Sequence, residues 1–361
     1  MAAPRSPAPT AALVLETNNL LGGDLAAVVT AMKRLLLHLG AQTRALASLA
    51  EVVVTHDGLP EAARSRLERA AGVPLRFVEV APFTGYYEAK NLGFDATTAD
   101  VVAFGDGDCW PEPEWLERLL APFDDARVEA VAGRTTYRED LLGQAVSAID
   151  FMYFAPPGDR GATRNFYANN VAFRREVFGA RRYAPVRGQF RGACQVLGLR
   201  LEREGVRVRF EPGARTTHRF PDSLRELVQL RLYRGADTPK LVPFLVDAHA
   251  PRALAWLGRL EPLASLGVLA ARLGFSARSV GRQDMRALDL PRRAACLGLM
   301  AAVSGLDTIG ALARATGVTS FGLDAAGHAE TLSYHGNGDG LTSDEGQRPE
   351  PARAGSPAAA A

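Results

Sequence analysis

Two aspartates one residue apart, Asp106 and Asp108, are the residues of this chain best suited to metal chemistry. They follow the apolar run Val101-Val102-Ala103-Phe104, which predicts a buried strand. A strand that ends in Asp-x-Asp carries both carboxylates to the carboxyl edge of a sheet, where open α/β folds bind ligands. Mg²⁺ typically lies between one or two carboxylates and the phosphates of a substrate. The motif therefore indicates a metal-assisted enzyme for a phosphorylated donor; the alternative is an acidic turn, since Asp and Gly favour turns.

Composition restricts the class of protein. The 361 residues are 47% hydrophobic, which is typical of a globular chain, and the net charge of +2 implies no affinity for nucleic acid. Three scattered cysteines suggest neither a disulfide framework nor a zinc site. Residues 1–10 are rich in Ala and Pro and lack an apolar signal core, so we expect a disordered N-terminus and a cytoplasmic location.

Strand and helix patterns alternate over the first third of the chain. Such alternation predicts an α/β fold with a mostly parallel sheet and helices on both faces. The predicted strands are 11–16, 51–55, 75–80, 101–104, 128–135 and 206–210, and the predicted helices are 24–49, 59–71, 88–98, 113–122 and 195–204. No G-x-x-x-x-G-K-[ST] loop or G-x-G-x-x-G turn is present, so P-loop and dinucleotide-binding folds lack their key element.

Beyond residue 222 the pattern becomes helical up to about residue 323. Leu263–Phe275 has Arg272 as its only charge, and Ala294–Ala313 has Asp307 as its only charge. A spanning helix needs about 20 apolar residues, and an internal Asp argues against one. These two segments are either buried helices of a bundle or helices that lie in a bilayer interface. The second alternative implies peripheral contact with the inner face of the membrane. Residues 324–361 are small and polar, and predict a disordered tail.

The order of the motifs over residues 11–222 resembles the family 2 inverting nucleotide-sugar glycosyltransferases, which have the GT-A fold. The likeness rests on six segments of this sequence: Leu15-Glu16-Thr17, His56-Asp57-Gly58, Ala89-Lys90-Asn91-Leu92-Gly93, the stretch 101–120 with Pro111-Glu112-Pro113-Glu114-Trp115-Leu116, Asn169–Val177, and 200–218. Each motif is weak by itself, but their order and spacing together are specific.

The resemblance implies a nucleotide-diphosphate sugar as donor and a divalent metal, Mn²⁺ or Mg²⁺, as cofactor. It places Thr17 and Asp57 at the nucleoside and Asp106 at the ribose or a metal-bound water. Asp108 and His218 are the expected metal ligands. Lys90 either pairs with a phosphate or is a solvated helix residue. On the acceptor side the resemblance implies Asn169 and Asn170, and Arg191 is the arginine we expect to meet an acceptor phosphate.

The chain departs from the family at the general base. Ala193 and Cys194 stand where the family carries Glu-Asp, so no catalytic residue is assigned, and a lone Cys is more often a buried apolar residue than a nucleophile. Three explanations remain. The acceptor is a lipid phosphate that needs no base, or a carboxylate elsewhere serves as base, or the protein binds without transferring. The carboxylates considered for that role are Asp150, Asp159 and Glu88.

The sequence therefore predicts a cytoplasmic, metal-dependent inverting hexosyltransferase acting on a glycan or a lipid phosphate. The alternative is a non-catalytic nucleotide-sugar or glycan binding protein on the same fold.

Overall fold

A computed structural model describes residues 8–17, 25–82, 84–156, 158–184, 192–249, 256, 260, 263–280 and 288–316. Arg191, most of the predicted disordered N-terminus and the predicted tail 324–361 lie outside these residues.

One mixed sheet of eight strands forms the centre of the described chain, in the order β3-β2-β1-β4-β7-β6-β8-β5. Four of its seven strand pairs are parallel, including all three within β3-β2-β1-β4. The strands are β1 Ala11–Glu16, β2 Glu51–His56, β3 Arg76–Glu79, β4 Val101–Asp106, β5 Cys109–Pro111, β6 Ala130–Thr136, β7 Val171–Arg174 and β8 Val208–His218.

Helices cover both faces of this sheet, as the sequence predicts. Alternate side chains of β1 point to opposite faces: Leu13 and Leu15 join one apolar cluster and Val14 joins another. The first cluster includes α1, α2 and α4, and the second includes α3, α6 and α7. The helices are α1 Leu25–Gly40, α2 Glu61–Ala71, α3 Tyr86–Asp95, α4 Trp115–Leu120, α5 Leu141–Asp150, α6 Arg175–Arg181, α7 Ala193–Arg203, α8 Leu224–His249, α9 Leu263–Val280 and α10 Leu290–Ala315.

Two predicted elements end eight or nine residues away from their predicted ends. The helix predicted over 24–49 ends at Gly40, where the His38 carbonyl accepts from the Ala41 backbone N–H (3.3 Å) and from the Gln42 side chain (3.1 Å). The strand predicted over 206–210 continues to His218. Its pairing with β6 shifts register between Gly133 and Arg134, which is where Pro212 and Gly213 interrupt the pattern of β8. Helices α5 and α6 were not predicted.

The three C-terminal helices pack on the end of the sheet domain. Cys296, Met300 and Val303 of α10 share an apolar cluster with Val146 of α5 and Phe220. Helices α8 and α10 cross in close contact at Gly235 and Gly310. A Cβ added at either glycine would lie 1.9 or 2.0 Å, respectively, from a carbonyl oxygen of the other helix. This contact requires residues without side chains at both positions.

The single charges of the two apolar segments pair with each other. Asp307 of α10 is fully buried and accepts hydrogen bonds from Arg272 of α9 and from Arg231 of α8, whose Nε lies 2.8 Å from Oδ1. Arg231 also donates to Asp150 at the end of α5 (2.6 Å). A buried charge needs such partners, so this network accounts for the aspartate inside an apolar helix.

Among the described residues, α10 is one helix whose length and composition would let it cross a membrane. Its most apolar window has a mean hydropathy of 1.6, and 39% of that window is buried against the rest of the protein.

Candidate functional site

The carboxyl ends of β1, β2 and β4 meet at one edge of the sheet. Thr55, Glu16 and Asp106 pair in register, so they form one row across three neighbouring parallel strands. Thr17, Asp57 and Asp108 follow within two residues of that row, which places the predicted nucleoside and metal residues at the same edge.

Thr17 and Asp57 have different environments at this edge. The Thr17 hydroxyl donates to the Thr55 carbonyl (2.8 Å) and is buried, so it ties β1 to β2. Asp57 is half-buried, and its Oδ1 has no hydrogen-bond partner among the described residues. Burial raises the pKa of Asp57, and its backbone hydrogen bond lowers it by less, so the pKa is about 6. Asp57 is therefore a carboxylate that a ligand N–H group would stabilise.

Asp106 and Lys90 form a buried ion pair. The Lys90 Nζ donates to Asp106 Oδ1 (2.5 Å) and to the Gly105 carbonyl (3.0 Å), and the Tyr86 hydroxyl donates to Asp106 Oδ2 (2.6 Å). Both charged side chains are at most 1% exposed. In this geometry the ammonium holds Asp106 in place. The burial of Lys90 contradicts its interpretation as a solvated residue, and its contact with a phosphate stays a prediction.

Asp108 and His218 come together because β5 pairs with β8. Cys109 lies directly opposite His218, and the Asp108 Oδ2 is 3.7 Å from the His218 Nε2. The His218 Nδ1 donates to the Arg219 carbonyl (2.8 Å), which leaves the Nε2 lone pair directed at the carboxylate. Burial raises the pKa of Asp108, although His218 opposes this shift.

This pair fits a divalent cation. Two ligands about 2.1 Å from one ion lie at most about 4.2 Å apart, so the separation of 3.7 Å suits one shared ion. The Cys109 Sγ lies within the same cluster, and burial raises the pKa of its thiol well above the usual value. The Asp108 carboxylate is a ligand that suits Mn²⁺ or Mg²⁺.

Gly107 lets the turn between the two aspartates approach the sheet domain. A Cβ added there would lie 2.7 Å from the Met32 Sδ of α1 and 3.4 Å from the Glu16 carbonyl oxygen. The Asp-Gly-Asp turn is therefore packed against α1 and is not a free acidic turn.

Of the two asparagines predicted on the acceptor side, only Asn169 lines a cavity. Its Oδ1 accepts from the Thr135 hydroxyl (2.9 Å). Asn170 is fully buried, accepts from the Trp115 indole (2.8 Å) and donates to the Ala214 carbonyl (3.0 Å). Its side chain holds the sheet domain together, so a contact with acceptor remains a prediction for Asn169.

Comparison with known proteins agrees with this geometry. Residues 30–187 match the model of the family described as Glycosyl transferase family 2. This part of the chain is similar to that family. A mannosyltransferase from Pyrobaculum calidifontis, solved with GDP-Man and Mn²⁺, superimposes with a TM-score of 0.52 over 86% of this chain and 88% of that one, at 17% identity. This likeness shows the GT-A fold.

Two curated relatives share parts of the chain. The pre-mycofactocin glycosyltransferase of Mycobacterium tuberculosis is 28% identical over 55% of this chain and 44% of its own length. The glucosyl-dolichyl phosphate glucuronosyltransferase of Haloferax volcanii is 29% identical over 26% of this chain and 32% of its own length. The chain thus spans less than half the length of each of the curated relatives it matches.

The position of the family 2 base is apolar here. Cys194 is 6% exposed, lies in an apolar cluster with Ala193, and has its Sγ 3.4 Å from the Tyr87 hydroxyl. It lines a cavity of about 680 Å³ that also reaches Asp106 and Asn169.

The three carboxylates considered as substitute bases are not equivalent. Glu88 is exposed, Asp159 pairs with Arg207 at the surface, and neither lines the cavity. Asp150 lines it, but is held by Arg231 and Arg234 at 2.6 Å each. Burial raises the pKa of Asp150, but the charges of the two arginines outweigh this effect, so the pKa lies well below its usual value.

Asp237 of α8 is a cavity-lining carboxylate that the sequence reasoning missed. Asp237 lies beyond the region that resembles family 2, and the residue pattern of α8 does not indicate that this helix lines a cavity.

Proposed function

We propose that this protein is a metal-dependent glycosyltransferase that moves a sugar from a nucleoside diphosphate to an acceptor with inversion. The observation that carries the proposal is the approach of Asp108 and His218 to 3.7 Å at the sheet edge that also bears Asp57. The match of residues 30–187 to glycosyl transferase family 2 and the GT-A fold support the same chemistry.

Each residue has a stated part in this proposal. Asp57 accepts a hydrogen bond from an N–H of the base, and Asp106, fixed by Lys90 and Tyr86, faces the ribose and the departing sugar. Asp108 and His218 hold the divalent cation, which when bound offsets the charge that grows on the diphosphate as the glycosidic bond breaks. The acceptor oxygen attacks the anomeric carbon from the opposite face.

A nucleotide-sugar screen tests the proposal. UDP- and GDP-sugars are added with Mn²⁺ or with a chelator, and the melting temperature and nucleotide release are measured. We expect one nucleotide class to raise the melting temperature only when the metal is present, and release to follow when acceptor is supplied. The absence of metal-dependent binding to every donor would contradict the proposal.

A second candidate is a binding protein that does not transfer. The apolar residues Ala193 and Cys194 at the base position favour it. Metal-dependent binding without release of nucleotide, over a panel of glycan, alcohol and phosphate acceptors, would support this candidate over the first.

We further propose that the outward face of α10 contacts a membrane surface from the cytoplasmic side. The exposed apolar side chains of α10 support a position at the membrane surface. The opposite face of α10 stays inside the protein, where Asp307 pairs with Arg231 and Arg272. The exposed apolar side chains of this helix are Leu290, Leu297, Ile309 and Leu312. Flotation with anionic vesicles tests this contact, and recovery of all the protein in the lipid-free fraction would exclude it.

The raised pKa of Asp57 predicts that nucleoside binding weakens in acid. A base N–H stabilises the ionised carboxylate, so we expect affinity about tenfold lower at pH 5 than at pH 7, from a pKa of about 6. Folding shows the opposite trend, because the folded state gains stability as Asp57 is protonated. Uridine and guanosine are titrated without metal, so that the pH dependence of metal binding at Asp108 and His218 does not contribute. Asp57→Asn should bind the nucleoside weakly and with the same affinity at pH 5 and at pH 7. If this variant kept the pH dependence of wild type, Asp57 would not lie at the base site.

A further inference from the structure

The 680 Å³ cavity lies between the sheet edge and the C-terminal helices, beyond the nucleoside end of the site. Tyr86, Asp106 and Asn169 line one side, and α8 and α9 form the other. Thr17, Asp57, Asp108 and His218 are not among its lining residues. The cavity is therefore continuous with the proposed donor site at Asp106 but is separate from the residues assigned to the nucleoside and the metal.

Its walls are largely apolar. Both the sheet domain and the C-terminal helices contribute aliphatic and aromatic side chains to the lining. These include Ile149, Leu199, Leu241, Val268, Leu269 and Phe275. The volume is within the range of about 300–1,000 Å³ found for small-molecule sites.

Several polar groups of the lining already have partners within the protein. The Tyr86 hydroxyl donates to Asp106, and the Tyr167 hydroxyl donates to the Met152 carbonyl (3.1 Å).

The same holds for two further polar side chains. The Asn165 Nδ2 donates to the same Met152 carbonyl, and Arg164 donates to Glu202 (2.9 Å). A glycan needs many free donors and acceptors along its path, because each buried hydroxyl without a partner costs free energy. This lining suits a ligand with few polar groups.

We propose that this cavity is the acceptor site and that it takes an acceptor with an apolar body, its nucleophilic oxygen at the Asp106 end. The proposal rests on the proposed glycosyltransferase function and narrows its acceptor class. A cavity of about 150 Å³ holds one benzene, so about 680 Å³ holds an apolar body of roughly 25 heavy atoms. A longer chain must leave through the mouth, and we expect a polar oligosaccharide not to bind there.

Binding of 1-alkanols from butanol to decanol to the full chain, measured by isothermal titration, tests the proposal. We expect affinity to rise about fourfold with each methylene, because each buried CH₂ adds a constant increment of transfer free energy. Saturating 1-decanol should leave the donor dissociation constant unchanged, because the two sites are separate. Glucose and maltose should not bind detectably.

Two neighbouring residues of α9 provide a matched pair of variants. Ala271 and Ala270 are both exposed, but only Ala271 lines the cavity. Ala271→Trp should fill the mouth and weaken 1-decanol binding at least tenfold, whereas Ala270→Trp should not change it. Because both positions are exposed, neither tryptophan disturbs the core, and circular dichroism checks the fold.

The outcomes separate the cavity from the donor site. Alkanol affinity independent of chain length, equal loss in both tryptophan variants, or competition between 1-decanol and the donor would overturn the assignment. Asp108→Asn should lose metal-dependent donor binding and keep 1-decanol binding. If wild type binds no nucleotide sugar but binds alkanols as expected, the glycosyltransferase proposal fails while the cavity remains an apolar ligand site.

Discussion

Replacement of Asp108 by asparagine is expected to reduce sugar transfer by about 10³-fold. The metal supplies several kcal/mol of stabilisation to the charge that develops on the diphosphate, and each 1.36 kcal/mol corresponds to a factor of ten in rate. Asparagine has nearly the same shape but lacks the negative charge that, with the His218 Nε2 3.7 Å away, would hold the cation. The loss is therefore electrostatic.

Donor binding with and without Mn²⁺ measures this effect directly. In wild type, Mn²⁺ should tighten the donor, and in Asp108→Asn the metal should make no difference. Asp159→Asn is the control, since Asp159 pairs with Arg207 at the surface, outside the sheet edge. An Asp108→Asn protein that retains the metal dependence of wild type would place the cation elsewhere.

Replacement of Asp307 by alanine is expected to destabilise the protein by about 3–5 kcal/mol. The change leaves the guanidinium of Arg231, which is fully buried, with Asp150 alone, and it removes the acidic partner that Arg272 has in Asp307. Uncompensated buried charge causes losses of this size, whereas exposed pairs contribute little.

Urea unfolding of full-length protein measures this loss as a lower midpoint. Asp159→Ala removes an exposed carboxylate from its pair with Arg207 and should leave the midpoint unchanged. If the two variants unfold at the same urea concentration, the buried network of Asp307 does not stabilise the fold.

The sheet could be predicted because its signals are local. The apolar runs 11–16 and 101–104 predict strands by themselves, and the residues that end parallel strands meet at one edge. The predicted approach of Asp108 and His218 depended on family resemblance, since β5 is only three residues long and no pattern in the sequence pairs it with β8.

Side-chain partners between distant segments could not be predicted. Arg272 and Asp307 were visible as single charges in apolar segments, but a sequence gives no crossing angle that would pair them. The partner of Lys90 could not be predicted for the same reason. A lysine on a helix has many possible partners, and only the packing of α3 against β4 selects Asp106.

Asp150 has a consequence for engineering. It accepts from the Tyr137 hydroxyl (3.1 Å), whose ring packs edge-on against His218, and it also binds Arg231 of α8. One carboxylate thus joins the surroundings of His218 to the helices that wall the cavity. In a chimera spliced at residue 222, Asp150 would have a foreign neighbour on α8, so an exchange of the helices that wall the cavity would also disturb the surroundings of His218.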